Sequence, residues 1–247
     1  MGTNYFYIDE SGHILNDETL FIHGCIKTDT PDLLSRTLEE VKKEIEDDIY
    51  FNEFHEKFEK SGFHATENHP DIKTALYRRL IKLNWRAYFV VVNKNSDYYK
   101  SMANKDEHVI FMTSLTKLLF DRIRSSKDDK NIFIFETIQL STKSLESVLS
   151  DFFEQMNKVY DCEYSVVQKD GDINLAIVDY LNFVIYKILD GVNKDLIKRE
   201  PVNKQIRMRQ NFEIFAPKIA MIHIQNTKTY LSRYNDDITI ENLIKNW

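Results

Sequence analysis

Three carboxylates adjoin segments that are otherwise apolar. Asp9 follows the aromatic and β-branched run Tyr5–Ile8. Glu136 follows a similar run, Ile132–Phe135. Both runs have the composition of buried β-strands, so each acid is expected at the carboxyl end of a strand. The third acid, Asp179, lies in a segment that is apolar nearly all round when wound into a helix, so its side chain is expected on a packed face.

Each of these acids also has a purely structural explanation. Asp9 could cap the turn at Ser11 and Gly12, and Glu136 could be a charge that emerges into solvent where its strand ends. Asp179 could pair with an arginine from elsewhere in the chain. An unpaired ionised carboxylate in an apolar setting costs several kcal/mol, and its own helix supplies no Lys or Arg within one turn. For Asp179 we therefore favour a metal ion.

Glu10 follows Asp9 directly and extends the acidic strand end. Side chains alternate along a strand, so Asp9 is expected to share a face with Tyr5 and Tyr7 while Glu10 points to the other face. Only one of the two acids would then face a given site, unless the turn that follows has already begun.

Acids from two strands and one helix suit hard divalent cations. Mg²⁺ and Mn²⁺ prefer oxygen ligands and leave coordination sites for water and phosphate. Two such ions can activate a water and stabilise the leaving oxygen of a phosphodiester. The pattern of Asp9, Glu136 and Asp179 therefore indicates a nuclease site in outline.

The elements that must position these acids alternate between strands and helices. Strands are predicted at Asn4–Asp9, Leu20–Lys27, Arg86–Asn93, Asn131–Glu136 and Glu163–Gln168. Helices are predicted at Pro31–Asp47, Asp71–Lys82, Glu107–Ser125, Thr142–Tyr160 and around Asp179. This order predicts an α/β fold with a mixed sheet, because the first two strands are close enough in sequence to form an antiparallel hairpin.

The overall composition limits the class of protein. The chain has 247 residues, 43% of them hydrophobic, which is ample for a core. It has neither a long apolar run nor a signal-like N-terminal region, so we expect a cytoplasmic protein with no membrane partner. Cys25 and Cys162 lie in strand-like segments and are expected to be buried thiols in a reducing compartment. The net charge of −6 argues against coating nucleic acid by bulk electrostatics.

A local basic segment coexists with this acidic total. It runs over residues 193–210 and would contact phosphates without reading sequence. An equally good explanation is a solvated connecting segment. The candidate residues are Lys194, Lys198, Arg199, Lys204, Arg207 and Arg209.

Four short segments together resemble a known bacterial family. They are "YIDESG" at Tyr7–Gly12, "FHATE" at Phe63–Glu67, the strand that ends at Glu136, and the late helix with Asp179. They resemble the domain-of-unknown-function family numbered 3800, which is regarded as RNase H-like. The similarity spans roughly residues 4 to 190, and the hexapeptide is its most specific part.

The resemblance implies an RNase H-like fold, read here as a mixed five-stranded sheet flanked by helices over residues 1–191. Residues 192–247 would form a C-terminal extension packed on the same domain. It also implies two metal ions, Mg²⁺ or Mn²⁺, with the first three catalytic roles filled by Asp9, Glu136 and Asp179. Glu10, Glu67 and His64 match positions that assist, the first two as metal ligands and the histidine in catalysis. On proximity to the acidic segments, His13 and His55 rank next.

Three functions remain open from sequence. The leading hypothesis is a metal-dependent nuclease that hydrolyses phosphodiester bonds of DNA or RNA, which would be its partner. The alternative is a catalytically inactive RNase H-like module that binds nucleic acid or protein. A metal-dependent phosphatase or nucleotide hydrolase would share the acids but would ignore polymers. The chain has Ala176 and Val178 where the family's late helix usually carries glutamine and alanine, which keeps the inactive module in view.

Overall fold

The structure is a computed structural model. It describes residues 2–15, 18–102, 104–168, 170–193, 202–225, 227 and 229–247, with the side chains of residues 193 and 202–206 outside that description. The strands are β1 (Thr3–Ser11), β2 (Leu20–Thr28), β3 (Arg86–Asn93), β4 (Lys130–Glu136), β5 (Cys162–Val167), β6 (Ile219–Ile224) and β7 (Thr229–Ser232).

Helices occupy most of the remaining described chain. They are α1 (Pro31–Asp47), α2 (His55–Ser61), α3 (Pro70–Leu80), α4 (Asp97–Lys100), α5 (Glu107–Ser125), α6 (Leu145–Met156), α7 (Leu175–Asn193), α8 (Val202–Phe215) and α9 (Ile240–Asn246). Short 3₁₀ helices occupy Ile49–Phe54, Ala216–Lys218 and Arg233–Asn235. None of these helices is both long enough and apolar enough to cross a membrane.

One mixed sheet organises the molecule, in the order β5-β4-β1-β2-β3-β6-β7. β2 runs antiparallel to both of its neighbours, whereas β4 is parallel to β1 and β5 is parallel to β4. The first five strands therefore have the order and directions of the RNase H-like fold. The predicted fold class, a mixed α/β sheet flanked by helices, is confirmed.

Both faces of the sheet are covered by helices, because side chains of each strand alternate between two cores. On one face, Tyr7 packs in a cluster with residues of α1, α3, α7 and α8. On the other face, Phe6 and Ile8 pack in a cluster with residues of α5 and α6. The second cluster also contains Cys25 and Cys162, which are both free and buried, as predicted.

The C-terminal part of the chain extends the sheet beyond the five predicted strands. β6 pairs in parallel with β3, and β7 pairs antiparallel with β6. Phe212 and Phe215 of α8 belong to the same core cluster as α7. Sequence analysis gave this region no strands, so a five-stranded sheet was an underestimate. The predicted division of the chain at residue 191 stays a prediction.

Candidate active site

The first two predicted acids meet because β1 and β4 are parallel neighbours. Ile8 pairs with Phe135 in the register of the two strands. The next residue along each strand is therefore Asp9 on β1 and Glu136 on β4. Carboxyl ends of parallel strands are where ligand sites of open α/β sheets collect. The two acids thus lie side by side at the carboxyl ends of two interior strands of the sheet.

Helix α7 is brought close to the sheet at these strand ends by a glycine. Gly24 on β2 is the cross-strand partner of Asp9, and a Cβ atom at Gly24 would lie 2.1 Å from Oδ1 of Asn182 on α7. The side-chain amide of Asn182 donates a hydrogen bond of 3.1 Å to the backbone carbonyl of Asp9. Asp179 lies one helical turn before Asn182, so this contact places Asp179 near the strand ends.

The loop after α2 supplies the immediate partners of Asp179. The backbone N–H of Ala65 donates to Oδ2 of Asp179 over 2.8 Å. Nδ1 of His64 lies 3.7 Å from the same oxygen, and both side chains are about one-quarter exposed, at 23% and 24%. The Asp179 carboxylate is therefore fixed by a main-chain donor, and His64 stands beside it.

Buried Asn68 holds this loop in place. Its side-chain oxygen accepts from the backbone N–H of His64 at 3.0 Å and from the hydroxyl of Tyr180 on α7, and its amide donates to the carbonyl of Gly62 at 2.9 Å. Gly62 itself has a positive φ of 56°, which glycine adopts without strain. The loop and helix α7 are therefore tied together next to Asp179.

Electrostatics show that four carboxylates act on one another. Asp9 is 7% exposed, and burial raises the pKa of its carboxyl well above the ordinary value. The charges of Glu10, Glu136 and Asp179 raise the same pKa further, while the hydrogen bond from the Glu10 N–H lowers it. We call Asp9, Glu10, Glu136 and Asp179 the acidic cluster.

Glu10 belongs to this cluster as well. Burial raises the pKa of its carboxyl to about 8, and the charges of Glu136 and Asp179 raise it in the same direction. Groups of like charge held together in this way favour binding of a cation or a proton.

A cleft of about 240 Å³ opens in front of the cluster. Glu136 and Asp179 line it, together with the loop after α2 and the start of α7. The ionisable residues of its lining are Glu39, Lys42, Glu59, Lys60, Glu136, Asp170, Asp172 and Asp179. Among the described residues of this lining, acids outnumber lysines three to one, so a phosphate would be repelled unless cations accompanied it. We call this cleft the acidic cleft.

The acidic cluster suits hard divalent cations in the chemistry of its donors, which are all carboxylate oxygens. Among the residues that the structure describes, no three His, Cys, Asp or Glu side chains are grouped closely enough to form a complete ligand set. Mg²⁺ does not need one, because it usually keeps several waters and binds through one or two carboxylates plus substrate phosphates. The cluster therefore fits a site of that open kind.

Comparison with solved structures finds a distant likeness to a nuclease complex. The structure of the PCNA:RNase HII complex from Archaeoglobus fulgidus contains a similar chain, with a TM-score of 0.48, 12% sequence identity, and coverage of 88% of this chain and 89% of that chain. No protein-family model and no curated protein matches the chain. The resemblance to family 3800 accordingly stays a prediction, and the fold assignment rests on strand order and direction.

Glu67, the remaining predicted metal ligand, follows Ala65 by two residues in the loop after α2. It is exposed and lines a separate cleft with Lys57 and His69, whereas Glu136 and Asp179 share the acidic cleft. The two other histidine candidates are His13 and His55. His13 is exposed, and the ring of His55 contacts the carbonyl of Ile45. His64 is thus the predicted histidine that the structure brings to Asp179.

The structure describes the side chains of only two of the six predicted basic residues, Arg207 and Arg209. Lys194, Lys198 and Arg199 lie outside the described residues, as does the side chain of Lys204. Arg209 forms an ion pair of 2.6 Å with Glu241 on α9. Arg207 is exposed and lines a cleft between α3, α7 and α8.

Sequence reasoning missed the residues that position the acids. Gly24, Ala65, Asn68, Tyr180 and Asn182 contribute through a missing Cβ, a backbone N–H or a buried side chain. A usable signal existed for Asn182, because a buried amide within an apolar helix needs partners just as Asp179 does.

Proposed function

We propose that this protein is a metal-dependent nuclease that hydrolyses phosphodiester bonds of DNA or RNA. The observation that carries the proposal is that Asp9 and Glu136 lie at the carboxyl ends of neighbouring parallel strands and that helix α7, held to Asp9 by Asn182, carries Asp179. The charges of Glu136 and Asp179, with that of Glu10, raise the pKa of Asp9. The cleft of about 240 Å³ that Glu136 and Asp179 line would receive the polymer in this proposal.

In this proposal the carboxylates hold one or two divalent ions, Mg²⁺ or Mn²⁺. Bound there, the ions would supply the positive charge that activates a water and stabilises the leaving oxygen. Asp9 on strand β1 and Asp179 on helix α7 would hold the ions from two sides. The Ala65 N–H fixes the orientation of Asp179.

His64 is assigned a supporting role in the same proposal. Its Nδ1 atom lies 3.7 Å from Oδ2 of Asp179. In this role it would transfer a proton to the leaving oxygen or orient the water. From sequence it ranks above the other histidines through its polar loop and the resemblance to family 3800.

The experiment that tests the proposal is cleavage of labelled single-stranded DNA, double-stranded DNA, RNA and an RNA/DNA hybrid, in Mn²⁺ and in EDTA. Asp179→Asn removes a charge without changing shape, so we expect cleavage to fall by about 100-fold or more while the fold is retained. The matched control is Asp121→Asn on α5, whose partner is Lys117, and it should cleave normally.

Calorimetry of Mn²⁺ binding gives a second readout that does not depend on cleavage. The wild type should bind Mn²⁺, and Asp179→Asn should bind it more weakly. If no polymer is cut and no Mn²⁺ binds, the nuclease proposal is wrong.

The second candidate is a catalytically inactive module of the same fold that binds nucleic acid or protein. The observation that favours it is that the described residues hold no complete three-donor ligand set. Such a module would bind its partner equally well in Mn²⁺ and in EDTA, and Asp179→Asn would leave that binding unchanged.

A further inference from the structure

A second cleft, of about 340 Å³, lies on the same helix as Asp179 but on the C-terminal side of it. It is formed between α3, α7 and α8, and its lining includes the basic residues Lys73, Lys187 and Arg207. No acid lines it among the described residues, in contrast to the acidic cleft. We call it the basic cleft.

Lys73 and Lys187 both lie near the ring of Phe183. The Nζ atom of Lys73 lies 4.0 Å from the centre of the Phe183 ring, and that of Lys187 lies 5.5 Å from it. Among the described residues, no ion pair involves Lys73, Lys187 or Arg207. In a protein of net charge −6, these three side chains give the cleft a local positive charge.

The basic cleft is linked to the acidic cluster through helix α7. Asp179, Phe183 and Lys187 follow one another at four-residue spacing, so they lie on one face of the helix. Eight residues of helix span about 12 Å, the length over which one strand of a duplex carries about three or four phosphates. The charge of Asp179 also acts on Lys73, which places α3 close to both sites.

We propose that the basic cleft binds the sugar-phosphate backbone of the nucleic-acid strand beside the bond that the acidic cluster cleaves. This inference rests on the proposed function and names the surface that holds the substrate. Lys73, Lys187 and Arg207 contact phosphate oxygens, and the apolar side chains of Phe183 and Met208 support the sugar or base. Contacts of this kind position a strand and do not read its sequence.

The charge pattern favours nucleic acid over an acidic peptide as the occupant. The acidic cleft repels any anion that arrives without metal ions, whereas the basic cleft attracts it a short distance away. A polymer with regularly spaced phosphates can satisfy both at once, because one phosphate lies at the metal ions while its neighbours lie in the basic cleft. An acidic peptide would occupy only the second.

The test is binding of a fluorescein-labelled oligonucleotide, measured by anisotropy in EDTA over a series of salt concentrations. The variant Lys187→Gln/Arg207→Gln removes two exposed cations from the cleft. We expect at least tenfold weaker binding, and a slope of log K against log salt that is shallower by about 1.4 for a single strand, at roughly 0.7 per lost contact. Wild-type affinity and slope in this variant would overturn the proposal.

The matched control is Arg124→Gln/Lys127→Gln, which removes the same charge from exposed positions at and just beyond the end of α5. It should bind as the wild type does. Equal weakening in both variants would mean that only net charge matters, and it would overturn the proposed cleft. Competition is a further test. If a glutamate-rich peptide displaces the labelled oligonucleotide at a lower concentration than unlabelled oligonucleotide does, the proposal of a nucleic-acid site is also overturned.

Cleavage assays of the same variants separate this inference from the proposed function. Binding that depends on the cleft, without cleavage by the wild type in Mn²⁺, would overturn the nuclease and leave the cleft as a nucleic-acid site. Metal-dependent cleavage that is unchanged in Lys187→Gln/Arg207→Gln would overturn the cleft and leave the nuclease.

Discussion

Individual residues of the acidic cluster were predictable because each one interrupts an apolar segment. Asp9, Glu136 and Asp179 are conspicuous as charges that would be costly to bury without a partner. The partners themselves were not predictable. Ala65 contributes a backbone N–H, which any residue carries, and Asn68 acts through a loop whose packing depends on Tyr180, more than 100 residues away.

At this scale the raised pKa of Glu10 predicts a pH-dependent stability. Its carboxyl has a pKa of about 8 in the folded protein, against 4.5 ordinarily, so the folded state binds the proton more tightly than the unfolded state does. The free energy of unfolding in EDTA should therefore fall as pH rises from about 4.5 to about 8. The measurement is the melting temperature against pH.

Glu10→Gln cannot ionise at this position and serves as the comparison. We expect it to match the wild type near pH 4.5 and to be more stable than the wild type at pH 8, where the wild type holds an extra negative charge in the cluster. Mn²⁺ at pH 8 should raise the melting temperature of the wild type more than that of the variant. Parallel curves for the two proteins would contradict the assignment of this proton to Glu10.

Helices and strands were predicted best where the hydrophobic residues follow one clear periodicity, either helical or strand-like. The strand Arg86–Asn93 and the helices Pro31–Asp47 and Glu107–Ser125 have the predicted bounds. The strand Ile219–Ile224 was missed, although it is a short apolar run. Periodicity alone cannot distinguish such a run from a buried helical segment.

The contact between α7 and β2 predicts the effect of a single methyl group. In Gly24→Ala the new Cβ would clash with Asn182, and the nearest atom of Val178 would lie 2.9 Å away. The side chains of Asn182 and Val178, or the helix that carries them and Asp179, would have to shift. We expect a loss of stability of about 1–3 kcal/mol, measured by urea unfolding, together with weaker Mn²⁺ binding.

Gly2→Ala is the matched glycine control. A Cβ atom there would meet only the Asp129 carboxyl at 3.4 Å, an ordinary contact, so stability should be close to that of the wild type. If Gly24→Ala unfolds at the same urea concentration as the wild type, α7 does not approach the sheet as closely as described.

For the molecule as a whole, sequence analysis predicted the class of fold, a mixed sheet and the antiparallel pairing of the first two strands. It did not predict how far the sheet extends, because strand pairing between Arg86–Asn93 and Ile219–Ile224 joins segments more than 120 residues apart. The basic composition of residues 193–210 indicates a charged surface, but it does not indicate that the strand after it pairs with Arg86–Asn93.

The extended sheet predicts that residues 1–193 do not form a stable unit alone. Without β6, the strand β3 would become an edge that exposes backbone groups and buried residues such as Phe89 and Val91. We expect this shortened chain to aggregate and to lack a cooperative unfolding transition. Gel filtration and thermal melting measure both properties.

A chain that ends at residue 239 removes α9 but keeps β6 and β7. It loses the buried residues Ile240 and Leu243, so it should be less stable but still soluble and cooperative. If the chain of residues 1–193 is also a soluble monomer with a sharp transition, the division predicted from sequence is the better description.

The separation along the chain between β1 and α7 has a consequence during protein synthesis. Asp9 is made first, and Asp179 and Asn182 follow some 170 residues later. At roughly 5–20 residues per second, β1 waits on the order of ten seconds for its helix. A nascent chain on the ribosome therefore holds no complete acidic cluster until α7 has emerged.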